Sequence, residues 1–74
     1  MDHQEAEKLA NEIFGRPTNM WSFGLRIYVN YVANVIPICA ELIISCVVDW
    51  IEAGSPEDSE GIYNLCDKFT QSLK

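Results

Sequence analysis

Eleven acidic residues against five basic ones give these 74 residues a net charge of −6, which repels a phosphate backbone and argues against direct nucleic-acid binding. The length fits one domain, residues 1–74, whose core alone supplies only about 3–5 kcal/mol; chains of this size gain the rest from disulfides, a metal or self-association. The three cysteines, Cys39, Cys46 and Cys66, form no C-x-x-C pair and the single histidine is His3, so no disulfide framework, metal centre or cofactor is expected.

The first eight residues hold acids where a secretory signal needs positive charge, and no long apolar stretch follows them. A cytoplasmic location with free buried thiols is the expectation. Asp2, with Glu5 three residues on, reads as a capping box for a helix over 3–14. Ala6, Leu9, Ala10, Ile13 and Phe14 form its apolar stripe, and Gly15, taking the left-handed conformation, closes it before Pro17.

A second helix is expected over 19–33, capped by Thr18. Its polar stripe is Asn19, Ser22, Arg26, Asn30 and Asn34, at helical rather than strand spacing. Pro37 then interrupts a long apolar run. One helix over 19–53 would be about 50 Å long, too long for a globule of this size to bury. Two helices are preferred, with Asn34 as the second N-cap and Pro37 in the first turn of a helix over 35–53. A single Pro-kinked helix, which would imply a dimer, is the alternative.

That third helix has a narrow polar stripe of Glu41, Ser45, Asp49 and Glu52, so it should be surrounded on most sides. Gly54 ends it. Ser55-Pro56-Glu57-Asp58 reads as the cap, first position and acidic first turn of a fourth helix over 56–73. Its stripe is Ile62, Leu65, Cys66, Phe69 and Leu73, and Gly61 weakens its first turn by about 1 kcal/mol. The fold class is therefore all-α: a compact bundle of four short helices around a highly apolar central one.

No catalytic constellation emerges, and an enzyme is not expected. His3 lies in a terminal turn prone to fraying, the cysteines sit on apolar stripes, and no phosphate loop, H-E-x-x-H or G-x-S-x-G is present. Glu41 belongs on a solvated stripe, although antiparallel packing would bring Arg26 and Asn30 opposite it. The most suggestive charge feature is Asp49, Glu52, Glu57, Asp58 and Glu60, five acids in twelve residues with no base among them.

These features lead to a non-enzymatic protein-interaction module: a small inhibitor or adaptor, of the kind phages and mobile elements encode. It would bind another protein, with a basic surface, through the acidic corner and an apolar helix face. Surplus apolar surface on the two middle helices predicts a homodimer, with Trp21, Phe23, Tyr28 and Tyr31 as interface anchors. Two alternatives stand beside it. Residues 27–48 are long enough for a holin-like membrane span, although Asn30, Asn34, Pro37, Glu41 and Ser45 interrupt them. The acidity also suits a DNA-mimicking inhibitor.

Overall fold

Asp2 accepts the amide of Glu5 on its side-chain oxygen at 2.9 Å and so opens α1, His3–Phe14. The computed structural model describes residues 2–73. After α1 come a 3₁₀ turn over Thr18–Met20, then α2, Phe23–Val35, α3, Ala40–Glu52, and α4, Ser59–Ser72. The fold is all-α, a bundle of four short helices.

Each expected helix is present, but the boundaries shift where prolines and tertiary contacts intervene. Gly15 closes α1 in the right-handed region, at φ −72°, donating to the carbonyl of Asn11 at 3.1 Å. Thr18 opens only the 3₁₀ turn, and α2 begins four residues later behind Ser22. Asn34 is not a cap: it lies in the last turn of α2, its amide donating to the Asn30 carbonyl at 3.0 Å. Ile36 is extended, at φ −137° and ψ 156°, because a residue before proline is pushed out of the helical region. Residues 36–39 therefore form an extended link, with Pro37 inside it rather than in the first turn of α3. The continuous kinked helix is overturned: the longest dimension of the molecule is 29 Å. Among the described residues, no helix is long and apolar enough to cross a membrane.

α3 is central, packing against α1 and α2, while α2 also packs on α4. His3 meets Glu52, and Asn11 shares a cleft with Glu41, so α1 and α3 run antiparallel. Ala6 and Ala10 are fully buried, and their small side chains let α1 lie close to its neighbour. The core joins them to Leu25, Tyr28 and Val32 of α2, Cys46, Val47, Val48, Trp50 and Ile51 of α3, and Ile62, Leu65 and Cys66 of α4. Most of the apolar surplus of the middle helices is thus covered by the chain itself.

The α3–α4 corner is where sequence and tertiary structure part. Gly54, at φ 93°, donates to the Ile51 carbonyl, and Ser55 donates to that of Trp50, both at 3.0 Å. This 5→2 and 6→1 pair is a Schellman closure. Ser55 is consequently no cap for α4: it sits in the left-handed region, at φ 54°, as the second residue of the turn. The Pro56 carbonyl accepts the Trp50 indole N–H at 3.0 Å, and the Glu57 carboxylate accepts the Gly24 amide at 2.6 Å. Pro56 and Glu57 are thereby held outside the helix, and α4 starts behind Asp58. Glu57 supplies α2 with the N-terminal acceptor that Ser22 does not provide. Gly61 also serves this corner, since a side chain there would collide with the Pro56 ring.

A β-carbon on Gly24 would overlap the Pro56 carbonyl and the Glu57 carboxylate. Helix propensity alone favours Gly24→Ala by about 1 kcal/mol, but overpacking at a fixed carbonyl reverses the sign. Gly24→Ala is expected to lower stability by about 1–3 kcal/mol in urea unfolding, whereas Gly15→Ala, whose β-carbon would meet only ordinary van der Waals contacts, should be neutral or stabilising. Equal behaviour of the two variants would mean that the corner does not constrain α2.

Candidate functional site

The five corner acids share one end of the bundle but have different surroundings. Asp49 and Glu52 fall in the last turn of α3, which contains no base, so the negative end of the helix dipole disfavours both. Glu57 is committed to Gly24. Asp58 holds the cap position of α4, but its side chain makes no capping bond; its carbonyl accepts the Ile62 amide at 3.1 Å. Glu60 is exposed in the first turn of α4, where the dipole favours it.

His3, expected in a fraying turn, bridges two helices instead. Its Nδ1 lies 2.7 Å from Glu52 and its Nε2 lies 3.0 Å from Glu7. Two carboxylates facing two ring nitrogens call for a proton on each. The hydrogen bond and charge of Glu52, helped by Glu7, raise the imidazole pKa above its usual 6.5. An imidazolium with both nitrogens engaged has no lone pair left to act as a general base. Burial also raises the thiol pKa of Cys66, and burial with the Asp49 charge pushes that of Cys46 up to about 11. Cys39, expected on an apolar stripe, is exposed at the cap position of α3. Glu41 is exposed and, among the described residues, has no ion pair with Arg26.

A cleft of about 460 Å³ opens between α3 and α4. Asp49 and Glu52 form one wall, Asn64 and Lys68 the other, with Leu65 and Phe69 as apolar lining and Tyr28 of α2 contributing from the core. Gly61, beside Pro56 and Asp58, lines its outer end and joins it to the rest of the corner. Asp49 is exposed on its outer side, yet the surrounding protein weakens its hydration. That desolvation, followed by the charge of Glu52, raises its carboxyl pKa, while Lys68 and His3 act in the opposite direction. Reading the acidic run missed Lys68, Asn64 and Phe69. Lys68 is the only base within α4, which is a visible signal, but its proximity to Asp49 depends on how α3 and α4 sit.

The four aromatic residues expected at an interface divide. Tyr28 is buried in the core, with 1% of its surface accessible, because α2 turns that face toward both α3 and α4. Trp21 is half-buried, and its indole N–H is shared between the carbonyls of Ile13 and Arg16, at 2.9 and 3.2 Å, fastening the α1–α2 connection. Tyr31 packs edge-on against Phe69, with ring centres 6.3 Å apart. Its hydroxyl bonds Thr70, whose own proton goes to the Cys66 carbonyl, so Tyr31 is the donor. Only Phe23 is open, at 67% exposure, with Met20 equally open just before it.

No protein-family model matches this sequence, and no curated protein or solved structure is significantly similar to it.

Two stability effects follow from these charges. The raised pKa of His3 means that its bridge contributes fully below pH 6.5, while the glutamates stay ionised, and fades as pH rises through the folded-state value. The stability gap between parent and His3→Gln should thus be largest below pH 6.5, while the glutamates stay ionised, and shrink as pH rises; a pH-independent gap in urea titrations would contradict the bridge. Asp49 behaves differently. Its raised pKa makes its ionised form a cost that appears as pH climbs past the usual 3.8 and through the folded-state value. Asp49→Asn is expected to stabilise the fold at neutral pH by less than about 1 kcal/mol, and to lose that advantage in acid.

Proposed function

We propose that this chain is a non-enzymatic interaction module, a small inhibitor or adaptor that docks on a basic protein surface. One observation carries this reading: Phe23, exposed at the head of α2, directly precedes Gly24, whose amide is bound by Glu57 of the acidic corner. The contact between Gly24 and Glu57 brings the head of α2 and the α3–α4 turn together, so an aromatic anchor and a group of carboxylates belong to the same end of the molecule. Apolar anchors give such a contact its affinity, and complementary charge gives it orientation and speed. The acids at the end of α3 support the same reading, because local electrostatics disfavour them there. With most of the surplus apolar surface covered by the fold, the open remainder is small and suits a contact with a different protein. A second copy seated on the same face is the outcome that would redirect the proposal toward the homodimer.

The partner is to be captured by crosslinking in the native host, identified by mass spectrometry, and then titrated with purified protein. Phe23→Ser and Glu60→Lys change exposed side chains and should leave the helical signal intact. Each is expected to weaken binding by roughly tenfold or more, and Glu60→Lys should also reduce the salt dependence. Unchanged affinity in both variants overturns the proposal. Sedimentation equilibrium of the parent at high micromolar concentration should return the monomer mass, and a dimer abolished by Phe23→Ser would assign this face to self-association.

A further inference from the structure

Tyr28 lies in the core and also lines the cleft between α3 and α4. Only 1% of its surface is accessible. Its hydroxyl has no hydrogen-bond partner among the described residues, yet it is not sealed off: no fully buried side-chain oxygen among them lacks a partner. The residual opening is therefore at the hydroxyl, and the space it meets is the cleft between α3 and α4. A phenol in an apolar core normally finds a partner for its O–H. This one is directed into an open cleft whose other polar wall, Asp49, is likewise without a hydrogen bond or ion pair among the described residues.

We infer that the cleft between α3 and α4 receives an arginine side chain of the basic partner, its guanidinium bonded to the Asp49 carboxylate and the Tyr28 hydroxyl. The inference rests on the interaction-module reading above and names what one part of that surface recognises. A carboxylate accepts hydrogen bonds only, and a phenol oxygen accepts one while its proton serves Asp49 or water. The occupant must thus be a cation with several donors. Guanidinium presents five in a planar fork, enough for both acceptors at once, whereas an ammonium is a compact and more strongly hydrated charge. The apolar lining fits the same choice. Phe69 gives the cleft an aromatic ring, which suits a delocalised cation, and Leu65 gives it apolar surface for the three-carbon stem. Space is ample, at about 460 Å³. Lys68, on the opposite wall, repels every cation that enters, the first included, so the cleft does not take a basic cluster and a single guanidinium must win its place through Asp49 and Tyr28.

The probe is the capped tripeptide Ac-Arg-Arg-Arg-NH₂, with its lysine counterpart as control, titrated into ¹⁵N-labelled protein at low salt. Saturable shifts should concentrate on residues 28, 49, 65 and 69, and the arginine peptide should bind at least about fivefold tighter than the lysine peptide. Asp49→Asn should weaken it roughly tenfold and Tyr28→Phe about fivefold, while Glu60→Gln, outside the cleft, should change it by less than about twofold. Tyr28→Phe keeps the ring that fills the core, and Asp49→Asn lies at the surface, so both should retain the parent spectrum away from the cleft. Shifts spread over the corner, with arginine equal to lysine and no effect of either cleft variant, would overturn the arginine site and leave the basic-partner reading standing. Failure of that reading appears separately, in the indifference of the native partner to Phe23→Ser and Glu60→Lys. If neither peptide binds at millimolar concentration, the arginine site is overturned as well.

Discussion

The bond from the Gly24 amide to the Glu57 carboxylate is the contact on which the working end of this protein depends. It satisfies a donor at the start of α2, where an anion is also favoured by the helix dipole. It draws Glu57 out of α4 and so sets where that helix begins. It requires that residue 24 have no side chain, because the Pro56 carbonyl occupies the space one would need. Trp50 completes the arrangement by donating its indole proton to that same carbonyl. A loop of six residues is thus tied to two helices by its backbone and side chains, and the exposed Phe23 directly precedes the tied Gly24.

The charges at this end make sense only when sorted by surroundings. Glu57 and Glu60 lie at helix starts and gain from the dipole; Asp49 and Glu52 lie at a helix end and lose from it. His3 offsets Glu52 from across the α1–α3 contact. Asp49 has no comparable partner among the described residues and faces the cleft instead. Asp49 also borders the cleft between α1 and α3; only in the α3–α4 cleft does it stand beside a phenol whose hydroxyl has no partner among the described residues.

The middle of the chain had the opposite problem, too much apolar surface rather than too much charge. Pro37 resolves it. By forcing Ile36 to be extended it breaks the run into α2 and α3, and the two halves then bury each other. α4 closes over α2, and Tyr31, Phe69 and Thr70 lock that contact. Among the described residues, the large apolar side chains left exposed are Met20, Phe23, Val35, Tyr63 and Leu73.

Much of this was legible from residue order. Helical periodicity, the Asp2 cap, the Gly54 closure and the Pro37 break are local effects, acting over a turn or two of chain, and they determined the all-α class, the number of helices and the order in which they occur. The acidic corner was legible too, as composition. Not legible were the roles of its members. Ser55 and Glu57 carry strong capping signals, but tertiary hydrogen bonds from Trp50 and Gly24 outweighed them and moved the start of α4. Tyr28 and Phe23 look alike in a list of aromatic residues; one fills the core and the other faces solvent, because five positions along a helix turn a side chain well over a full circle. His3 and Glu52 are 49 positions apart, so no local pattern could pair them. Sequence alone determined which segments would be helical and how polar each was. Only the tertiary structure decided which polar groups would be left without partners, since that depends on what the other helices bring to them.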